Sequence, residues 1–319
     1  MDRQKIMQNK RSWRDHLSLA AKGMVMGAAD AVPGVSGGTI AFITGIYEEL
    51  IYSLKQCGPE ALNVLFRQGF AAMWKHINGA FLLTLLMGIM LSIFTISRLV
   101  LYWLDAYPVM LWSFFFGLIL AAIWSLIRHI ESWDLKTVAF FVFGTLAAYL
   151  ITMIPPSAIE PTKLFIFLSG MLAICAMILP GISGSFILLL LGMYTHILTA
   201  VKDLDIVTLA LFAIGCVFGL LSFSRVLNWM FNSHKTLTLA LLGGFMLGSL
   251  NKVWPWKLTL ESTVNSHGKT IPLVQENILP GTFEVLTSQP SYLWYAIALS
   301  LFGAGAVLLL EKVGSTPRE

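Results

Sequence analysis

Eight stretches of this chain are apolar for close to the roughly 20 residues that cross a bilayer: Ala80 to Leu104, Val109 to Ile127, Val138 to Ile154, Leu164 to Leu179, Ile182 to Val201, Val207 to Val226, Leu237 to Leu250 and Tyr292 to Leu310. Runs of that length and number predict an all-α, polytopic membrane protein with most of its mass in lipid. The 12% share of charged residues agrees, being about half of what soluble domains carry. The first 16 residues are too polar and basic for a cleaved signal, and the following run holds Lys22 and Asp30 without a small-residue cleavage site, so the N-terminus reads as retained. Cys57, Cys175 and Cys216 have neither the number nor the spacing of a disulfide framework or metal site and read as core thiols. The formal net charge of +4 sits in the N-terminal tail and in short inter-helical segments. That placement points to anionic lipid headgroups, not nucleic acid, as its partner.

Two of the apolar runs are broken by the same element. "AADAVPGVSGGTIAFITGIY" begins at Ala28 and "CAMILPGISGSFILLLLGMY" at Cys175. A shift of 147 lays Pro33, Gly34, Ser36, Gly37, Gly45, Tyr47 and Lys55 on Pro180, Gly181, Ser183, Gly184, Gly192, Tyr194 and Lys202. A shift of 127 lays Gly88, Ser97, Arg98 and Gly117 on Gly215, Ser224, Arg225 and Gly244. The chain therefore reads as a basic tail (1–16), a first membrane repeat (17–154), a linker "PPSAIEPT" (155–162) and a second repeat (163–319) that includes an external segment, 254–291. That segment reads equally as a small folded cap or as a solvated loop.

Each half holds a re-entrant unit folded about its break, then three spanning helices. Because three is odd, the second half enters from the opposite side, the inverted-topology repeat of many secondary transporters. Loop charge agrees: with both termini cytoplasmic, only Lys163, Lys202, Lys252, Lys257 and Lys269 of the basic loop residues fall outside.

Pro and Gly at Pro33–Gly34 and Pro180–Gly181 end one half-helix and act as hinges, and Ser36 and Ser183 stand where an N-cap starts the next. A new helix start offers unpaired N–H groups and the positive end of its dipole, which suits an anion. Two opposed tips meeting in the membrane place Ser36, Gly37, Gly38 and Thr39 opposite Ser183, Gly184 and Ser185 as facing donor clusters. Arg98 and Arg225, at equivalent helix ends, add guanidinium forks suited to phosphate or carboxylate, although snorkelling to the interface also explains them. Asp30 and Glu48 flank the first break, with Met177 and Thr195 as counterparts, and are the candidates for carrying a coupling ion. Glu49 reads as a solvated interfacial residue and His196 as a satisfied interface histidine. Gly34-Val35-Ser36-Gly37-Gly38 matches a hydrolase nucleophile elbow, but the strand before it and the α/β sheet around it are lacking. A twice-repeated Ser-Gly suits a shared binding site better than one nucleophile. No Asp-rich cluster supports phosphatase chemistry, so the chain reads as a non-enzyme without cofactor or metal.

"MGAADAVPGVSGGTIAFITGIYEELI" (Met26 to Ile51), "LPGISGSFILLLLGMY" (Leu179 to Tyr194) and the two Ser-Arg pairs resemble the bacterial polyprenyl-phosphate transporter family, the undecaprenyl-phosphate translocases. The resemblance covers nearly the whole chain. It implies a multi-pass protein of the bacterial cytoplasmic membrane that returns undecaprenyl phosphate, the carrier lipid of cell-wall precursors, from the outer to the inner leaflet. Its partners would be that lipid, the surrounding membrane lipids and a coupling proton or sodium ion, and a homo-oligomer is compatible with it. It implies that Asp30, Pro33, Gly34, Ser36, Gly37, Gly38, Thr39 and Glu48 serve the first half, Pro180, Gly181, Ser183, Gly184 and Ser185 the second, with Arg98 and Arg225 beside them. The alternative is a transporter or channel for a small soluble anion through the same pocket.

Overall fold

Apolar content makes the helices of this chain, and Gly, Pro and short polar residues cut them. The computed structural model describes residues 11–32, 34–156, 160–264 and 270–314. Pro33, tail residues 1–10, linker residues 157–159, Lys269 with the rest of 265–269, and 315–319 lie outside the described residues. The first half runs α1 (Trp13–Asp30), α2 (Gly37–Ile43), α3 (Tyr47–Gln56), α4 (Pro59–Gln68), α5 (Phe70–His76), α6 (Gly79–Phe94), α7 (Ile96–Ala106), α8 (Pro108–Arg128) and α9 (Leu135–Met153). The second runs α10 (Lys163–Ile178), α11 (Gly184–Leu190), α12 (Tyr194–Asp203), α13 (Ile206–Ser233), α14 (Lys235–Val253), β1 (Lys257–Val264), β2 (Thr270–Asn277), α15 (Pro280–Thr287) and α16 (Leu293–Gly314).

Among the described residues α8, α9, α13, α14 and α16 are long and apolar enough to cross a membrane, with up to seven spans if each of two bent helix pairs counts as one. The chain is a multi-pass, predominantly helical membrane protein. Local signals set the starts: Ser12 and Asp15 form a reciprocal capping box on α1, Asp134 and Asp205 cap α9 and α13, and prolines occupy the first position of α4 and α8.

The structure departs from the sequence reading in four places. The run Ala80 to Leu104 is not one span: it breaks at Thr95, whose hydroxyl donates to the Leu91 carbonyl at 2.6 Å and competes with the helix's own ladder. The run after each Pro-Gly break is two short helices instead of one, turned at Gly45 (φ 71°) and Gly192 (φ 68°), with α11 and α12 bent by 108°. Glycine fits both turns because that left-handed conformation strains other residues. The polar connector after Lys55 folds into α4 and α5, both with many exposed side chains. Finally, the described residues of segment 254–291 are folded and include two strands, so the described residues are not all helical. β1 and β2 form an antiparallel hairpin with Lys257 opposite Asn277, and Trp256, Phe283, Ala296 and Val109 bury a small core under it.

Helix packing follows the two sequence shifts. α1 lies on α6 as α10 lies on α13, and the close approaches correspond: a Cβ at Gly88 would overlap the Ala20 carbonyl, and one at Gly215 would overlap the carbonyl of Phe167, the residue 147 after Ala20. The remaining helices exchange partners, α9 packing on α14 and α16 on α8, with Gly244 against the Phe141 carbonyl and Gly117 against that of Ser300. The largest buried cluster, with Val32, Val35, Ile40, Tyr47, Ile119, Leu126, Ile178, Leu242 and Met246, gathers around the two breaks.

Candidate functional site

The two breaks meet. Gly34 and Gly181 each have a φ of 96°, open to glycine at little cost, and each turn points a backbone N–H at the other copy. The Gly34 N–H donates to Ser183 Oγ at 2.9 Å, and the Gly181 N–H donates to Thr39 Oγ1 at 3.0 Å. Ser36 Oγ lies 3.1 Å from both the Met177 and the Leu179 carbonyls, and the Tyr47 hydroxyl donates to the Ile178 carbonyl at 3.2 Å. Gly38 lets that same Ile178 carbonyl approach: a Cβ there would lie 2.6 Å from it. Ser36 and Thr39 are fully buried and Ser183 is nearly so, so the crossing is a dry polar knot.

Both serines cap as their position predicts, Ser36 Oγ accepting the Gly38 N–H and Ser183 Oγ the Phe186 N–H at 3.2 Å. The facing donor clusters do not, however, stand open to a ligand. Gly34, Gly38, Gly181 and Phe186 spend their N–H groups on Ser183, Ser36 and Thr39 hydroxyls, and the start of α2 already has an anion. Asp30 Oδ1 accepts the Gly37 N–H at 2.7 Å, and a Cβ on Gly37 would overlap that carboxylate. A buried chain cannot leave such donors unpaired, so the site that a helix start offers is filled from within. Gly184 and Ser185 are half-buried, and the Ser185 hydroxyl pairs with that of Ser183 at 3.0 Å.

The other charged candidates lie away from the knot. Glu48 is half-exposed and ion-paired with Lys235 Nζ at 2.7 Å, so it is no desolvated acid. Glu49 differs from its reading as a solvated residue: its side chain is only 16% exposed, held by Arg11 and by Asn78. Arg98 is exposed on α7 and has no hydrogen-bond or ion-pair partner among the described residues. Arg225 bonds the Leu221 carbonyl of its own helix and, at 3.2 Å, Glu60 of α4. Among the described residues neither arginine touches the breaks. His196, read as satisfied, has a buried Nε2 without a hydrogen-bond partner among the described residues. The described residues hold no cluster fit for a metal ion.

Two residues of consequence are absent from the sequence reading's site. Beside the knot, under the hairpin, lies a cavity of about 500 Å³ lined by Tyr149, Met153, Phe186, Leu190, Asn251, Lys252 and Lys257, among others. The Lys252 stem lies 3.1 Å from where a Gly34 Cβ would stand, and its Nζ sits 4.8 Å over the Phe186 ring, so one side chain touches both halves of the crossing. Lys257 Nζ lies 3.9 Å over Trp112 and donates to the Lys252 carbonyl. The sequence signal was an unrepeated one: Lys252 falls on Ser125 at the 127 shift.

A family model described as VCA0040-like, undecaprenyl phosphate translocase-like, matches residues 26–271. The chain is 51% identical over 298 residues, 93% of its length and 97% of the relative's, to a polyprenyl-phosphate transporter of Vibrio cholerae serotype O1. It is 32% identical over 252 residues, 73% of its length and 84% of the relative's, to a polyprenyl-phosphate transporter of Staphylococcus aureus. No solved structure matches it.

Proposed function

The chain belongs to the undecaprenyl phosphate translocase-like family, and from that premise we propose that it carries undecaprenyl phosphate from the outer to the inner leaflet of the bacterial cytoplasmic membrane, acting as a transporter and not as an enzyme. The observation that carries the mechanism is the reciprocal pair of bonds joining the two breaks, Gly34 to Ser183 and Gly181 to Thr39. Such bonds close the membrane interior with few groups, and their exchange opens it. The matched packing of α1 on α6 and α10 on α13, with the partner exchange between α8, α9, α14 and α16, supports an inverted-topology repeat whose halves move against each other, with both termini cytoplasmic.

In this reading Gly34 and Gly181, with Pro33 and Pro180, are the hinges. The helix starts at Ser36 to Thr39 and Ser183 to Ser185 receive the phosphate oxygens once the Ser183 and Thr39 hydroxyls let go of the opposite turns, so that the anion replaces existing bonds and no buried N–H is left unpaired. Arg98 and Arg225, equivalent and on the outside of the bundle, meet the headgroup at the ends of its path. Asp30 is the group that binds the coupling proton or sodium ion: it is half-buried on the first break, and its charge and the phosphate compete for the same helix start. Glu48, already paired at the surface, is the lesser candidate.

Liposomes holding the purified protein and undecaprenyl phosphate test this through the accessibility of the lipid phosphate to a membrane-impermeant phosphatase. Wild-type protein exposes the inner-leaflet pool, and Asp30→Asn folds but loses the response to an imposed ion gradient. Wild-type rates in both Arg98→Ala and Arg225→Ala would remove the arginines from the path. Transport of soluble phosphate without lipid movement would favour the small-anion reading.

A further inference from the structure

We propose that the cavity under the hairpin is a docking site for a phosphate monoester anion, with Lys252 and Lys257 supplying the charge and the apolar lining residues receiving the first carbons of its substituent. The proposal deepens the transport reading and rests on it for the substrate's chemistry.

Three observations converge. First, the charges are unanswered. The paired bases elsewhere, Arg11, Arg225 and Lys235, have carboxylates, whereas neither Lys252 nor Lys257 is ion-paired among the described residues. Their ammonium groups rest on the aromatic faces of Phe186 and Trp112 and on a carbonyl, contacts that hold a cation in place without neutralising it. Glu276, the one carboxylate among the described residues lining the cavity, lies exposed on β2. Burial and the charge of Lys252 pull the Lys257 amine well below its usual range, a penalty that a bound anion reverses. A phosphate monoester, carrying about −1.5 to −2 charges near neutrality, matches two ammonium groups.

Second, the cavity's lining is chemically mixed. Asn251 and Thr152, hydrogen-bonded to each other at 2.8 Å, line it with the lysines, and Tyr149, Met153, Leu189 and Leu190 add apolar surface. Its volume, within the usual range of ligand pockets, exceeds what a bare phosphate fills. Third, Lys252 lies against Gly34 of one break and Phe186 of the other, so an anion bound there sits beside the bonds that must exchange. At the repeat shift, Lys252 is replaced by Ser125 and Asp30 by Met177, so the cation and the acid at the crossing are each unrepeated.

The test uses the full-length protein in detergent micelles with three probes: farnesyl phosphate, inorganic phosphate and farnesol. Farnesyl phosphate is expected to bind in calorimetry, with roughly tenfold or greater loss of affinity in Lys252→Gln and in Lys257→Gln and near-retention in Lys252→Arg. Equal binding by inorganic phosphate would make it a free-phosphate site and overturn the monoester assignment, and equal binding by farnesol would overturn the charge argument. A second readout needs no variant: farnesyl phosphate should slow acetylation of Lys252 and Lys257 in the wild-type chain, and unchanged rates overturn the site. Failure here leaves lipid movement in liposomes intact, whereas failure of the transport reading leaves these affinities unchanged.

Discussion

Removing the Ser183 hydroxyl tests the polar knot most directly. Ser183 Oγ accepts two backbone N–H groups, from Gly34 across the crossing and from Phe186 in its own helix, and shares a third bond with Ser185, which uses a hydroxyl's full capacity of two acceptor positions and one donor. Ser183→Ala orphans two buried donors in a place that water does not reach. At about 1–3 kcal/mol for each unsatisfied group, the loss should be about 2–6 kcal/mol, a large part of a domain's usual total of about 5–15 kcal/mol. Thr39→Val keeps the shape and orphans only the Gly181 N–H, so about 1–3 kcal/mol is expected. Ser222→Ala, whose hydroxyl back-bonds to the Phe218 and Gly219 carbonyls of its own helix α13, should stay within about 0.5 kcal/mol. Denaturant unfolding in mixed micelles ranks the three. The double variant Thr39→Val/Ser183→Ala should cost less than the sum, since residues in one network couple and the first opening already admits water. Ser183→Ala behaving like Ser222→Ala, or Thr39→Val costing more than Ser183→Ala, would refute the reasoning.

Gly88→Ala and Gly215→Ala push a methyl group into the backbone carbonyls of Ala20 and Phe167 and should each destabilise by about 1–3 kcal/mol, read by the same unfolding assay; a large effect in only one would break the equivalence of the two helix pairs. At Asp30, Asn retains an oxygen that can accept the Gly37 N–H whereas Ala does not, so Asp30→Asn should melt near wild type and Asp30→Ala about 1–3 kcal/mol lower. Lys257, held below its ordinary value by burial and by Lys252, binds a proton less readily in the fold than in the unfolded chain. Unliganded stability should therefore rise with pH between those two values. A bound phosphate favours the charged amine, so the thermal shift produced by farnesyl phosphate should shrink from neutral to alkaline pH; a constant shift would remove Lys257 from the binding charge.

The breaks and the repeat were legible because their causes are local: Pro and Gly end helices wherever they stand, and a constant offset needs no knowledge of space. Gly45 and Gly192 were paired by the same offset, yet their meaning, a second turn that splits the resumed run, follows from a left-handed φ that spacing does not disclose. The caps at Ser36 and Ser183 were read correctly, and the error lay one step later. Unpaired N–H groups at a helix start are a liability in a buried place, and the fold meets them with its own hydroxyls and with Asp30, only seven residues before Gly37 but across a reversal of the chain. Arg225 stands off the crossing for a different reason: its partner Glu60 sits on a connector whose helical fold carried no clear signal. Lys257 was hidden because hairpin 257–277 has no counterpart in the first half, and Lys252 because its counterpart is Ser125.

That difference between the halves bears on direction. On the proposed inverted arrangement, a perfectly repeated chain would face either leaflet with equal ease, since exchanging the conformations of its halves returns the same molecule. Whatever gives the two faces different energies must then lie in the unrepeated residues, and those near the crossing are few: Asp30 where the other half has Met177, Lys252 where the other has Ser125, and the hairpin that places Lys257. The acid lies on one break, against Gly37, and the cation touches Gly34 of that break and Phe186 of the other. Bound phosphate repels the Asp30 charge and so favours its neutral form, while the lysines attract the phosphate. If Asp30 is the proton site and Lys252 and Lys257 hold the headgroup, as proposed, proton uptake and headgroup binding reinforce one another, and that coupling has one sign because each group occurs once.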